Sequence, residues 1–172
     1  DNYLVYFWQG RDSSINEKGA SALLTVDVSA EFEGAPQIRV TQQHETRHFM
    51  ALFKNHIVIH NGKYVNYANR MKQSAVRMFD VRLASEYRDM KNSSLRSIET
   101  YDVGKEQLNS NHVALILASD RKSATIWRGK FSHATELDAA TNLARKLLNS
   151  GSTSGSNRGS TPSNPAVKVV DQ

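Results

Sequence analysis

The chain has 172 residues, a formal net charge of +5 and no cysteine. The absence of cysteine excludes a disulfide framework and thiolate zinc sites, and the mild charge without a long Lys/Arg run argues against nucleic-acid binding. The longest apolar runs, such as Val113–Ala118, have the length of a strand and are too short to span a bilayer.

The first half of the chain alternates strands with helices. Tyr3–Trp8 is an aromatic and β-branched run that predicts a central strand. A long helix is predicted over Ser14–Glu33, because Ser14 and Glu17 have the spacing of a capping box and Gly34 follows as a stop signal. Its core face at helical spacing is predicted to comprise Ile15, Gly19, Ala22, Leu23, Val26 and Ala30.

Three shorter elements complete this half. Gln37–Thr41 alternates like a strand, and Ile57–His60 is a second strand closed by Asn61 and Gly62. Between them, His44–Lys54 carries Phe49, Leu52 and Phe53, a spacing typical of a short helix.

The second half contains four predicted strands and a second long helix. The strands are Met78–Leu83, Leu95–Tyr101, His112–Ala118 and Thr125–Trp127, the last two joined by a hairpin turn. The helix is predicted over Ser132–Asn149, with an apolar stripe of Ala134, Leu137, Ala140, Leu143, Ala144 and Leu147. Residues 150–164 are rich in Ser and Gly, which predicts a flexible loop.

The two halves repeat each other. Trp8 corresponds to Trp127 and Glu17 to Glu136, both 119 residues apart (127 − 8 and 136 − 17). Pro36 corresponds to Pro165 at a step of 129 (165 − 36), which leaves ten extra residues (129 − 119) for the Ser/Gly-rich loop. Both tryptophans are predicted to be core anchors.

This period predicts an α+β fold of tandem repeats, each with a mixed sheet between a long helix and a short helix. We assign residues 1–62 to the C-terminal part of one repeat and 78–172 to the N-terminal part of the next, with a linker at 63–77. Each copy lacks elements that the other has, so we expect the chain to be a window from a longer protein with further repeats.

Five blocks of the first copy, in order, resemble the gelsolin/villin family of actin-binding repeats. They are Tyr6–Arg11, Glu17–Ala20, Val40–Gln43, His48–Phe53 and Ile57–Gly62. The second copy carries weaker blocks, namely Met78–Arg82, Ile126–Gly129 and the single residue Glu136. The sequence from Val40 to Gly62 is most similar to the gelsolin-like repeats of the Flightless protein.

The resemblance implies calcium, because the glutamate at this point of the family's long helix is a calcium ligand, joined by an aspartate and backbone carbonyls. Glu17 and Glu136 are therefore candidate ligands. The alternative for Glu17 is a helix cap, whereas Glu136 lies one residue beyond the capping position counted from Ser132. The family's Gly-Asp pair is replaced by Asn111 and His112, where only Asn111 offers a ligand oxygen, because imidazole suits a hard cation poorly.

The histidine pairs His44/His48 and His56/His60 are predicted to be polar rims of the sheet, because no acidic motif or cysteine completes a zinc site. No catalytic motif is present, so we predict a protein that is not an enzyme.

The resemblance implies that a long helix enters a hydrophobic cleft of actin, or else that it only covers its own sheet. Phosphoinositide headgroups are a second possible partner, and Arg70, Lys72 and Arg77 are the densest basic group. Two functions follow: a calcium-regulated module for filament binding, capping or severing, or a calcium-insensitive adaptor for protein assembly or nuclear co-regulation. The first implies a cytoplasmic location on the actin cytoskeleton, and the second adds the nucleus.

Overall fold

A computed structural model describes residues 3–62, 75–84, 93–149 and 166–172. The chain divides into two compact units, Asp1–Asn55 and His56–Gln172. The predicted flexible loop at 150–164 lies outside the described residues. No helix in the described ranges is long and apolar enough to cross a membrane.

The first unit contains two parallel strands with a helix on each side. Its elements are β1 (Val5–Gln9), α1 (Ile15–Glu31), β2 (Gln37–Thr41) and α2 (Arg47–Ala51). The buried side chain of Gln9 fixes α1 to β1, because its amide donates to the Lys18 carbonyl at 3.1 Å and to Ser21 Oγ at 2.9 Å. Tyr6 lies on the opposite face of the same strand, where its ring contacts Phe49 of α2.

The start of α1 is predicted correctly, but its core face is not. Ser14 caps the helix, as its spacing with Glu17 predicts. However, Ile15, Leu23 and Val26 are 87%, 72% and 54% exposed. The buried residues of α1 are Thr25 and Ser29. Their hydroxyls donate to the carbonyls of Ser21 and Ala35, so small polar residues with satisfied hydrogen bonds form the contact face.

The second unit is a six-stranded sheet covered by the other long helix. Its order is β3-β5-β4-β6-β7-β8, with parallel pairing at both edges and antiparallel pairing between. The elements are β3 (His56–Ile59), β4 (Arg77–Leu83), β5 (Leu95–Glu99), β6 (Val113–Leu117), β7 (Ser123–Arg128), α3 (Ala134–Asn149) and β8 (Ala166–Asp171). Inward side chains of β4, β6 and β7 pack against Ala140, Leu143 and Ala144 of α3. The mixed six-stranded sheet and the helices of the two units confirm the α+β prediction.

The strand β3 belongs to the sheet of the second unit. The sequence assigns Ile57–His60 to the first copy, but His56 pairs with Leu95 and Ile59 with Ile98 of β5. Residues 63–74 lie outside the described ranges. The repeat boundary at residue 62 and the linker at 63–77 remain predictions.

The last strand is shifted by one residue relative to the repeat. Trp8 lies opposite Val40 in the first unit, and Trp127 lies opposite Val170 in the second. The alignment of Pro36 with Pro165 places Val169 there instead. A shift of one residue moves every side chain of a strand to the other face. As a result, Val167 packs against the core beneath α3.

An ion pair joins the ends of β3, β4 and β5. The Glu99 carboxylate accepts hydrogen bonds from Arg77 Nε at 2.8 Å, Arg77 Nη2 at 2.9 Å and the Asn61 N–H at 3.1 Å. His60 Nδ1 lies 3.5 Å from the same carboxylate. This bidentate geometry and the low exposure of both charged side chains make the pair a structural contact. Arg77 is therefore unavailable as part of a basic patch for phosphoinositide, and Arg70 and Lys72 lie outside the described residues.

The Glu99 cluster predicts a loss of stability in acid. Burial alone raises the pKa of Glu99, but hydrogen bonds with His60 and Arg77 outweigh it and lower the pKa from 4.5 to about 2. Ionised Glu99 therefore stabilises the folded state above about pH 4.5, and this contribution is lost as the pH falls toward 2. We expect the difference in urea midpoint between wild type and Glu99→Gln to be largest near neutral pH and to shrink across this range. A difference that does not change with pH would contradict the assignment.

Candidate functional site

Glu136 is the most buried acidic candidate, with 1% of its surface exposed. The helix α3 begins at Ala134, so Glu136 is its third residue. One carboxylate oxygen, Oε2, accepts the His133 N–H at 3.0 Å, and the other, Oε1, accepts the Leu83 N–H of β4 at 2.8 Å. The count from Ser132 was wrong by one residue, and Glu136 occupies a capping position after all. Both oxygens already hold backbone donors, so the side chain ties α3 to the sheet.

The second calcium candidate lies in the loop before β6. Asn111 is exposed, and its N–H donates to Asn109 Oδ1 at 2.9 Å. The neighbouring His112 places Nδ1 3.2 Å from Asp80 Oδ1, while Arg82 Nε lies 3.6 Å from Asp80 Oδ2. The carboxylate nearest to this loop position is therefore bound by cationic or polar side chains of the protein itself.

Glu17 forms the capping box that its spacing predicts. Its Oε2 accepts the N–H and the hydroxyl of Ser14, both at 2.8 Å, and Ser14 Oγ accepts the Glu17 N–H at 3.2 Å. The glutamate is exposed, and the helix dipole favours a carboxylate at this end.

The described geometry does not gather these residues into a calcium-binding group. Calcium needs six to eight oxygen ligands, typically including several carboxylates. Within the described ranges, no group of three or more His, Asp or Glu side chains is placed to hold a metal. Glu136 and Asp80 already have protein partners. The sequence-based calcium assignment to Glu17, Glu136 and Asn111 therefore gains no support from the geometry.

Three backbone carbonyls crowd around Gly129, at the turn between β7 and α3. A Cβ atom at this position would lie 2.5 to 2.6 Å from the carbonyl oxygens of Asn109, Ser110 and His112. The loop is closed by the Gly129 N–H, which donates to the His112 carbonyl at 3.0 Å, and by the Phe131 N–H, which donates to the Ser110 carbonyl at 2.8 Å. At the step of 119 residues (129 − 10), Gly129 corresponds to Gly10 of the first copy.

The histidines are distributed over separate networks. His48 hydrogen-bonds to Tyr6 in the first unit, whereas His56 Nε2 lies 2.8 Å from Ser97 Oγ and His60 contacts Glu99 in the second. Burial, reinforced by the Lys146 charge, lowers the pKa of His56. These contacts hold strands and helices together.

The two tryptophans are half-buried rather than fully enclosed. Trp8 Nε1 donates to Glu45 Oε1 at 3.1 Å, and the same oxygen accepts the Gln43 N–H at 3.1 Å. Glu45 is buried, and nothing in its sequence context suggested that role.

The outer faces of the two long helices differ sharply in polarity. At the step of 119 residues, the exposed positions Asp138, Asn142 and Arg145 of α3 correspond to Gly19, Leu23 and Val26 of α1. Ile15 begins the same stripe of α1. The outer face of α1, defined here as Ile15, Gly19, Leu23, Val26 and Ala30, is therefore apolar at positions where α3 is mostly polar. A stripe at this spacing is typical of a helix that binds a hydrophobic groove.

Comparisons with known proteins identify relatives of this chain by family and by sequence. Residues 1–50 match the gelsolin repeat. Villidin from Dictyostelium discoideum is 36% identical over 148 residues, which are 84% of this chain and 8% of villidin. Advillin from Mus musculus is 35% identical over 147 residues, 85% of this chain and 17% of advillin. The chain thus spans less than a fifth of either relative.

Among solved structures, a chain of the Thorarchaeota 2DGel3/rabbit actin complex is similar at 20% identity and a TM-score of 0.36. The alignment covers 98% of this chain and 76% of the chain in that complex. The sequence relationships are the stronger finding, and they extend over both units of the chain. The chain belongs to the gelsolin-repeat family and is a homologue of the villins and gelsolins.

Proposed function

We propose that this chain is an actin-binding module and that the outer face of α1 is its contact surface. The observation that carries the proposal is the exposure of Leu23 and Val26 at helix positions where α3 carries Asn142 and Arg145. A helix with such a stripe binds by laying its apolar face into a groove. The gelsolin/villin resemblance supplies a cleft of this kind on actin.

Binding by this surface requires no calcium. The carboxylates of Glu136 and Asp80 are engaged by backbone N–H groups and by His112, so we propose that this unit responds to calcium weakly or not at all. This differs from calcium-regulated capping or severing, which would be an activity of the whole protein with its further repeats. The chain itself would contribute affinity, because filament severing replaces actin–actin contacts and forms no covalent bond.

The test is co-sedimentation with filamentous actin, with millimolar calcium or a chelator. We expect the wild-type chain to pellet with filaments in both conditions. Leu23→Asp should weaken binding about tenfold, because a charge would be desolvated in the groove. The matched control is Asn142→Asp at the equivalent position of α3, which should leave binding within about twofold. Equal losses for the two variants would contradict the assignment of α1.

A second candidate function is an adaptor that keeps the fold without binding actin. The internal partners of Glu136 and Asp80 favour it, because they leave the second unit without an evident calcium switch. In that case neither condition of the co-sedimentation assay would show binding, although the chain remains folded. If the chain is an adaptor, we also propose that it resembles the Flightless repeats most closely in function and that it is located in the nucleus as well as on the cytoskeleton. Phosphoinositide binding stays a lesser proposal, because Arg77 is engaged by Glu99.

A further inference from the structure

The edge strand β3 contributes two apolar side chains to its unit, the buried Ile57 and the partly buried Val58. The buried apolar cluster is built from β4 to β7 and α3. Among the described residues of β3, Val58 packs against this cluster and is only partly buried. The order β5-β4-β6-β7-β8 is continuous without β3. The pairing of the other five strands with one another therefore does not depend on β3.

The edge of β5 nevertheless offers specific partners to an extended segment. The backbone pairs run from His56 with Leu95 to Ile59 with Ile98. Every second side chain of this segment points to the α3 side. His56 Nε2 lies 2.8 Å from Ser97 Oγ, Val58 packs against the apolar cluster, and His60 contacts Glu99. Main-chain pairing with pockets for alternate side chains is the mode by which sheet edges bind peptides.

The backbone immediately before β3 has an unfavourable conformation. Lys54 and Asn55 have φ angles of 54° and 60°. Both fall in the left-handed region, where a residue with a Cβ is uncommon and an unbranched polar residue such as Asn is tolerated best. Their N–H groups donate to the carbonyls of Ala51 and Met50 at 3.1 and 2.9 Å, so the two residues form the turn that ends α2. A short strained turn next to an edge strand favours strand exchange between copies.

We propose that β3 is an exchangeable strand and that the edge of β5 is a strand-binding site. The site takes β3 of its own chain in the monomer and β3 of a second copy when two chains exchange strands. The occupant is an extended segment with the pattern His-x-Val-x-His. The residue after it, Asn61 in this chain, donates its N–H to the Glu99 carboxylate. The proposal is independent of actin binding.

The test uses a fluorescent peptide covering residues 55–62 and the full chain carrying Val58→Asp. A charge at this partly buried position, facing the apolar cluster, should eject β3 in the variant and empty the site. We expect the peptide to bind this variant at least about tenfold more tightly than wild type, whose site is filled, as measured by anisotropy. The control peptide with the same Val58→Asp change should not bind. Equal binding to both chains, or none to a folded variant, would overturn the proposal.

Two further measurements settle the remaining outcomes. If Val58→Asp unfolds the second unit, reported by Trp127 fluorescence, β3 is an integral strand and the proposal fails. In the wild-type chain, the β3 amides should exchange hydrogen at least about tenfold faster than those of β4 and β6, and equal protection would again overturn it. A dimer that forms at high concentration, and that Val58→Asp abolishes, is expected from light scattering. A chain that stays monomeric rules out the second copy as occupant.

Discussion

Replacing Gly129 by alanine is expected to destabilise the second unit by about 3 kcal/mol. The added Cβ would overlap the backbone carbonyls of Asn109, Ser110 and His112. Backbone carbonyls cannot swing aside as a side chain can, and all three accept backbone hydrogen bonds in the loop. The alanine must therefore open this loop or displace the start of α3.

The equivalent glycine of the first copy provides the matched control. A Cβ at Gly10 would meet Ser13 Oγ at 3.2 Å, which is a side-chain atom that can rotate. Gly10→Ala should cost about 1 kcal/mol or less in the first unit. Urea denaturation followed by tryptophan fluorescence separates the two effects, because Trp8 reports on one unit and Trp127 on the other. A cost for Gly129→Ala no larger than that for Gly10→Ala would show that the loop is not closely packed.

Glu136→Ala should destabilise the second unit by about 3 kcal/mol, because one buried and one partly buried N–H group lose their acceptor. Those donors belong to His133 and Leu83, one at the start of α3 and one in β4. The matched substitution Glu17→Ala removes an exposed capping box and should cost about 1 kcal/mol. Glu136→Gln should fall between wild type and alanine, since its amide keeps an acceptor oxygen for one N–H and presents an NH2 donor to the other.

The same variants test the role of the acidic residue directly. The urea midpoints of wild type and Glu136→Ala are measured with calcium and with a chelator. If Glu136 serves as a backbone acceptor, the loss in Glu136→Ala is the same in both conditions. A loss that appears only with calcium would instead identify Glu136 as a ligand, and the structural assignment would be wrong.

Local signals in the sequence predicted most elements but not how they pack. The capping box of Ser14 and Glu17 correctly located the start of α1, because a cap depends on residues three apart in the chain. The core face of α1 was wrong because helical spacing identifies an apolar stripe without revealing what covers it. Leu23 and Val26 satisfy that spacing, yet Thr25 and Ser29 meet the sheet.

At the candidate site, too, the sequence located a residue but did not predict its contacts. The repeat located Glu136 by its correspondence with Glu17, but not the difference between a buried and an exposed carboxylate. That difference arises from the Leu83 N–H, which lies 53 residues away along the chain and reaches Glu136 only through the pairing of β4 with its neighbours. Likewise, the sequence places Arg77 in a basic surface group. The structure shows that Arg77 is largely buried and paired with Glu99.

The sequence by itself determined the α+β class and the family, because periodicity, caps and glycine turns are encoded in neighbouring residues. Tertiary structure alone decided which face of α1 stays exposed, which sheet receives β3, and that Glu136 binds backbone donors. Each of those outcomes depends on contacts between residues distant in the chain, where burial fixes the hydrogen-bond partner of every polar group.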